Sequence, residues 1–318
     1  MARSSTMKIL GFGAGVLGSL YAARLQEAGH EVTLLARGQR YQTLADQGIV
    51  LEEFVTGERT RTTVRLLDQM PRDQAFDVCL VTVRRTQLES ALPVLASNRH
   101  IPAFVFMTNI ADGPNAMVDA LGRDRVLMGH ANAGGERDGT IVRYMVAQSP
   151  ITLGELDGTT SERLQQIAAA FKQAGFPVTI SPDIDAWKRY HVALVGPLCN
   201  AMYMAGGDNY RLARDRQATR QAIDGTREAC RVLRAHGFSV QPPALRFLLA
   251  LPNFILVPLT QRLLDTKLMD IGGARHARAA RDEMQQLNEE LLTLADGVEV
   301  DTPVMQNLHR YALEPSVS

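Results

Sequence analysis

Apolar and polar positions change their period twice along this chain. From Met7 to about Ile180, short apolar runs of strand length alternate with stretches of helical spacing. Lys8-Ile9-Leu10 opens the series. After a glycine-rich turn, Leu20, Tyr21, Ala22, Leu25 and Ala28 recur at helical spacing, and Gly29 supplies a stop. Glu31–Ala36 is the next strand and Gln42–Gly48 a short helix. Val50–Glu53 and Arg61–Leu67 form an expected hairpin insertion around Thr56-Gly57-Glu58. Phe76–Val83 and Ala103–Met107 are nearly continuous apolar runs, as parallel strands buried on both faces require. Gln87–Leu95 and Asn115–Leu121 read as helices, and Val126–His130 as a strand. Strands are expected around Asp138-Gly139 within Ala133–Ser149, at Ile151–Gly154 and at Val178–Ile180. Ser161 caps a helix that Gly175 ends. From Asp183 onward strand signals nearly vanish, and Ile184–Ala205, Arg211–His236, Gln241–Leu251, Leu268–Leu294 and Thr302–Ala312 all carry helical spacing.

The pattern predicts a doubly wound, mostly parallel α/β sheet followed by an all-α domain. The boundary falls near Pro182, giving domains 1–182 and 183–318, with a substrate expected in the cleft between them. Ala244–Leu264 is apolar enough to suggest a membrane span, but Arg246, Pro252, Pro258 and Arg262 interrupt it. A buried helical segment broken by prolines is the preferred reading, and an exposed association surface the next.

The glycine-rich turn carries the first chemistry. Gly13-Ala14-Gly15-Val16-Leu17-Gly18 is a G-x-G-x-x-G lying between a strand and a helix, the context a dinucleotide fingerprint needs. Gly13 allows the tight turn, Gly15 the approach of a pyrophosphate, and Gly18 close packing of helix on strand. The helix N-terminus then faces the phosphates. The first domain is therefore expected to be Rossmann-type, against the plainer alternative of a glycine-rich turn. The second strand ends Ala36-Arg37-Gly38-Gln39-Arg40, with no carboxylate for a ribose 2′-hydroxyl. Two arginines suit a 2′-phosphate, so NADP(H) is favoured over NAD. Ordinary solvated charges are the alternative for Arg37 and Arg40.

Composition narrows the class. Lys+Arg and Asp+Glu both number 34, so net charge directs the chain neither to nucleic acid nor to a membrane. Cys79, Cys199 and Cys230 show no metal-like spacing and read as reduced thiols of a cytoplasmic protein. The stretch before Met7 lacks the apolar region of a signal peptide and is expected to be a loose tail.

Several motifs together resemble the 2-dehydropantoate 2-reductase (ketopantoate reductase) family over nearly the whole length. They are KILGFGAGVLGSLYAARLQEAGHEVTLLARG from Lys8, VTVRRTQ at 81–87, MTNIADG at 107–113 and Asp185-Ala186-Trp187-Lys188-Arg189. Ala205–Asp208, Arg281–Met284 and Thr302-Pro303 complete the set. The resemblance implies reduction of a 2-keto acid by NADPH: hydride reaches the keto carbon while a lysine protonates or stabilises the alkoxide. It places Asn109 beside the nicotinamide, Arg84 and Gln87 near the cofactor, and Glu283 and Thr266 at the substrate. The plainer alternatives are a turn residue for Asn109 and a solvated helix charge for Glu283. A small-molecule keto acid is then the partner, and a homodimer stays open.

The helix after Trp187 departs from the family pattern. The family lysine position is Arg189, with Lys188 one residue earlier and roughly 100° round a helix. The family's helical asparagines fall at Ala193 and Pro197. A regular helix is expected to turn Arg189 to the substrate, leaving His191 or water as proton donor, since Arg does not deprotonate. Lys188 serves as donor if the winding differs. The departures also admit an NADP(H)-binding regulatory protein with a decayed catalytic set.

Overall fold

The structure, a computed structural model, describes residues 6–313. Apart from Thr6, the expected N-terminal tail lies outside the described residues.

Strand β1 (Lys8–Phe12) runs into the glycine turn, and α1 (Val16–Glu27) follows. β2 (Glu31–Leu35) pairs parallel with β1, and α2 (Gly38–Gln47) comes after it. β3 (Ile49–Glu53) and β4 (Arg59–Thr62) form the expected hairpin. The run Arg61–Leu67 is not one strand, however. It breaks at Thr63-Val64, and β5 (Arg65–Leu67) leaves the hairpin to pair parallel with β2.

β6 (Val78–Val81), α3 (Leu88–Ala96), β7 (Phe104–Phe106), α4 (Asn115–Leu121) and β8 (Val126–His130) continue the alternation. β9 (Ala133–Asp138) and β10 (Ile141–Val146) turn back on each other. β11 (Ile151–Glu155), α5 (Glu162–Gln173) and β12 (Val178–Ile180) finish the first part. Ser161 caps α5, its hydroxyl accepting from Leu164 N–H at 3.2 Å.

The main sheet has the order β12-β11-β8-β7-β6-β1-β2-β5. All its pairings are parallel except β11 with β8. Chain order reverses between β1 and β6, the switch point at which open α/β sheets bind ligands beyond their strand ends. The hairpin is not an isolated insertion: β3 pairs parallel with β10, making a second sheet β4-β3-β10-β9. Burial follows from the apolar runs. Ile9, Leu10, Val78, Cys79, Phe104, Val105, Leu127 and Met128 lie inside, and Tyr21 sets its ring edge-on to Phe171 and Phe176 at 5.2 Å.

The rest is helical: α6 (Ile184–Met204), α7 (Asn209–Arg214), α8 (Arg216–Ala235), α9 (Ala244–Ala250) and α10 (Asn253–Leu264), then α11 (Lys267–Met269), a wide π turn over Asp270–Ala274, α12 (Arg275–Ala279), α13 (Arg281–Asp296) and α14 (Pro303–Leu313). Two expected long helices are broken. Asp215 separates α7 from α8 and caps the latter, accepting from Ala218 N–H at 2.9 Å. Ala280 leaves helical geometry between α12 and α13. The segment Ala244–Leu264 is not a buried one. Leu256, Val257 and Leu264 point inward, but Phe247 and Phe254 are 75% and 71% exposed. Among the described residues no single helix is long and apolar enough to cross a membrane; α9 and α10 reach that length only as a pair bent by 116°.

The chain divides into two compact units, residues 1–108 with 114–184 and residues 109–113 with 185–318. The second unit thus includes the five residues from Asn109 to Gly113, beside the region expected from position 183 onward.

Candidate functional site

In the first unit the glycine turn is built by close approach. Gly13 has φ +112°, a conformation that costs a residue with a Cβ. A Cβ on Gly18 would lie 1.8 Å from the Gly13 carbonyl oxygen, so only glycine lets α1 start there. Above Gly15 no atom stands within 4 Å of where a Cβ would project. The first turn of α1 has no acidic residue and its N-cap no side-chain bond, so Val16, Leu17 and Gly18 begin a helix with unsatisfied N–H groups. A pyrophosphate fits this cradle. Thr82, after β6, donates to the Gly13 carbonyl at 3.0 Å and ties the turn to the neighbouring strand.

The two arginines divide. Arg40 reaches back to the turn, donating Nε to Ala14 O at 3.1 Å and Nη2 to Ser19 Oγ at 3.0 Å. Burial, with Arg137 nearby, pulls its pKa down to about 10. It is a brace of the turn. Arg37 is exposed at the end of β2, on the rim of an open cavity of about 400 Å³ lined also by Phe12, Leu35, Asp68, Arg72 and Val94. Its position past β1 and β2 fits the adenosine half of a dinucleotide. Arg72, which carries no sequence motif, joins it only through the fold. Arg84 and Gln87 are exposed at the short 3-10 turn Arg85–Gln87, where Gln87 Oε1 accepts from Arg84 N–H at 3.2 Å.

In the second unit α6 and α13 bring Asp185, His191 and Glu283 within electrostatic reach of Lys188. Lys188 is 2% exposed. Burial pulls its pKa down to about 7, with the carboxylates of Asp185 and Glu283 opposing that shift. An amine so placed exchanges its proton at neutral pH. His191 lies flat against Trp187, ring centroids 5.7 Å apart and planes 9° apart. Burial first, then the charges of Lys188 and His276, push it down to about 3. The imidazole is therefore neutral through the physiological range, and His191, one of the two expected proton donors, has no imidazolium proton to give there.

Arg189 also departs from expectation. Its guanidinium is engaged by the protein, donating Nε to Asp185 Oδ1 at 3.0 Å and Nη1 to Ala111 O. It also lies 4.3 Å from the centre of the Phe238 ring. The helix is regular, yet Lys188 is the residue it sets between Asp185 and Glu283. Thr266 is the N-cap of α11, its hydroxyl donating to Leu263 O at 2.7 Å and accepting from Met269 N–H at 3.2 Å. Those local bonds occupy the hydroxyl expected at the substrate. Asn109 is half-buried in the second unit, and among the described residues its amide side chain makes no hydrogen bond. Ala193 lies in the apolar core of this unit and Pro197 is buried as well.

Sequence reasoning missed Asn200 and Asn288. Asn288 Nδ2 donates to Asn200 Oδ1 at 3.3 Å, and Asn288 fits beside α6 because Gly196 has no side chain; a Cβ there would sit 2.9 Å from its Oδ1. Their signal was a polar residue recurring on an otherwise apolar helical stripe. Among the described residues no group of three His, Cys, Asp or Glu side chains forms a metal site.

With β5-β2-β1 on one side of the switch point, β6-β7-β8 on the other and the glycine turn at it, the first unit has a Rossmann-type fold of the kind that binds dinucleotides, and the helical second unit carries the buried lysine. Known proteins bear on which kind. Residues 9–158 match the family described as ketopantoate reductase PanE/ApbA, an oxidoreductase family that the chain resembles. The 2-dehydropantoate 2-reductase of Aquifex aeolicus (strain VF5) is 28% identical over 185 residues, covering 56% of this chain and 56% of that protein. The match thus spans little more than half the length of that relative. The PanE/ApbA family ketopantoate reductase of Ralstonia eutropha JMP134 superposes with TM-score 0.76 at 21% identity, covering 96% of this chain and 97% of that one. D-mandelate dehydrogenase, in a ternary complex with NADH and anilino(oxo)acetate, superposes with TM-score 0.79 at 15% identity, covering 96% and 97%. These likenesses show the fold, a parallel-rich α/β unit followed by a helical one.

Proposed function

We propose that this protein is an NADPH-dependent reductase of a 2-keto acid, with cofactor held mainly by the first unit and substrate handled by the helical unit. The observation that carries this reading is Lys188, an enclosed amine that burial draws down to about 7 against the opposing effect of Asp185 and Glu283. Bound NADPH supplies the hydride. Gly13–Gly18 bind its pyrophosphate, Arg37 its 2′-phosphate, and Asn109 its nicotinamide end. Lys188 holds a proton on Nζ and delivers it to the oxygen of the reduced carbonyl, where negative charge develops. Glu283 and Asp185 keep the ammonium in place. Arg189 and Thr266 are left out of the chemistry because the protein already occupies their polar groups.

The substrate class is set by what α6 lacks. Apolar Ala193 and Pro197 stand where the resemblance puts asparagines, so this helix offers no amide there to a substrate hydroxyl. A 2-keto acid with an apolar or aromatic tail fits, and 2-dehydropantoate is the reference compound. D-Mandelate dehydrogenase illustrates that the fold serves such acids. The test follows NADPH absorbance at pH 6.5 with 2-dehydropantoate, aliphatic 2-keto acids and benzoylformate. Turnover of any of them that Lys188→Met abolishes supports the reading. NADPH binding without turnover of any acid favours the regulatory alternative that Arg189, Ala193 and Pro197 suggest. The three cysteines are buried free thiols, with Cys199 and Cys230 pushed up to about 12 by burial, which suits a cytoplasmic location. We further propose that two copies associate through the exposed apolar face of α9 and α10.

A further inference from the structure

We propose that Arg189 and Glu290 form a backbone clamp on Ala111 and that Arg189 is a positioning residue: the clamp fixes the Asn109–Gly113 segment on α6 and α13, the helices that carry Lys188 and Glu283. The proposal rests on the reductase reading for the role of Asn109, but the clamp itself is independent of turnover.

The chain leaves the first unit at Thr108 and re-enters it at Pro114. Between them Ala111 is fully buried, and both of its backbone polar groups are held by charged side chains. Its N–H donates to Glu290 Oε2 at 2.9 Å, and its carbonyl accepts from Arg189 Nη1. Charge-assisted bonds of this kind are stronger than backbone–backbone ones. The guanidinium is held in turn by Asp185 and by the face of Phe238, and is only 6% exposed. Gly113 has φ +93°, and a Cβ there would lie 2.1 Å from Arg189 Nη2, so the segment closes on the guanidinium only as glycine.

These contacts explain arginine at 189. One planar fork reaches Asp185, the Ala111 carbonyl and an aromatic face together; a lysine ammonium is a single point and cannot. The spacing is also ordered. Glu283 and Glu290 lie two turns apart on α13, and Asp185 and Arg189 one turn apart on α6. Asp185 and Glu283 act on Lys188, Arg189 and Glu290 hold Ala111, and Asp185 also bonds Arg189. Asn109, two residues before the clamped alanine, keeps its amide out of protein hydrogen bonds, so its backbone is anchored and its side chain stays available to a ligand.

Sharing Asp185 gives a signature that a merely structural arginine lacks. The groups acting on Lys188 are Asp185 and Glu283, which raise its pKa, and it in turn lowers that of His191, which also feels His276. Removing the Arg189 fork releases Asp185 to Lys188, and the alkaline limb of the rate then moves up.

The experiment compares wild type, Arg189→Lys and Glu290→Gln by hydrogen–deuterium exchange, NADPH titration and pH–rate profiles. In Arg189→Lys, exchange in the peptide containing residues 109–113 should rise about tenfold or more, the factor for loss of one charge-assisted bond, while α5 and α8 keep their protection. NADPH affinity should fall several-fold, and the alkaline limb should move upward. Glu290→Gln should raise the same exchange without moving the limb, because it leaves Asp185 alone. Unchanged exchange in both variants overturns the proposal, whatever happens to the rate. Raised exchange with an unmoved limb in Arg189→Lys overturns the shared role of Asp185. If no keto acid is turned over at all, exchange and NADPH titration still decide the clamp, so its failure and that of the reductase reading are told apart.

Discussion

Two adjacent residues on one helix take opposite roles because they lie about 100° apart. Lys188 faces Asp185 and Glu283; Arg189 faces Ala111 and Phe238. Lys188→Met should therefore lower kcat by about 10²-fold or more, as for loss of a general acid. In the wild type the donor is protonated below about 7, so the reduction rate should fall as pH rises through 7. That limb should survive in His191→Ala, whose imidazole is already neutral; its disappearance there would move the proton to His191. The same depressed pKa acts on stability. Between about 7 and 10.5 the unfolded chain binds a proton at this lysine that the folded chain does not, so folding should strengthen as pH rises across that window. Lys188→Met should remove this slope, read as Tm against pH. In the first unit, Arg37→Ala should weaken NADPH by about 1.5–3 kcal/mol and leave NADH nearly unchanged. Equal losses in isothermal titration would sink its assignment to the 2′-phosphate. Arg37 was proposed from its residue type at the end of the second strand, and Asn109 and Glu283 from the family resemblance. Neither source could distinguish Lys188 from Arg189, because that difference lies in what the Asn109–Gly113 segment brings against α6. Arg72, Glu290, Asn200 and Asn288 belong to no motif and become candidates only when distant turns of chain meet.

At the scale of elements, legibility followed the source of each signal. The central strands of the main sheet are buried on both faces, so their apolar runs stand out, and β8, α4 and the edge strand β12 have the expected ends. Interruptions were harder to see. Asp215 and Ala280 break helices whose apolar period continues across them, because a cap and a change of direction alter geometry without altering periodicity. The run Arg61–Leu67 divides because β5 finds a partner in β2, a tertiary choice that no local pattern encodes. The glycine turn was legible because its constraint is local and steric. Gly18→Ala brings a Cβ to 1.8 Å from the Gly13 carbonyl oxygen. The helix start must then shift, at a cost of about 1–3 kcal/mol for overpacking. NADPH affinity should drop by at least about tenfold, because the N–H groups of α1 no longer converge on the phosphates. Gly15→Ala should unfold at the wild-type temperature, as its Cβ meets nothing, while still obstructing the cofactor. A Gly18→Ala protein with unchanged Tm and affinity would remove the turn from the binding site.

At the scale of the whole molecule the unabsorbed feature is the apolar face of α9, α10 and α11. Phe247, Leu248, Phe254, Ile255, Leu259, Leu263 and Leu268 are all exposed there. On α10, Ile255, Leu259 and Leu263 follow one another at i, i+4, while Leu256, Val257 and Leu264 fill the inner side. Both sides of this helix are therefore apolar, which a lone surface helix does not need. Together the seven side chains, spread over three helices, expose on the order of 700 Å² of apolar surface, comparable with the ~800 Å² that each partner gives a stable interface. Arg246, Arg262, Lys267 and Asp265 bring both charge signs to its edge, a set that a two-fold axis can pair between copies. A second copy of this chain is thus the occupant we assign, with each face covering the other. Light scattering after size exclusion should give twice 34.9 kDa at micromolar concentration. Phe254→Asp should return the protein to 34.9 kDa with its Tm in dilute solution little changed, because that ring is already mostly exposed. A wild type that stays at 34.9 kDa up to about 100 μM, or that sediments with phosphatidylglycerol vesicles as a monomer, would show that this face does not bind a second copy.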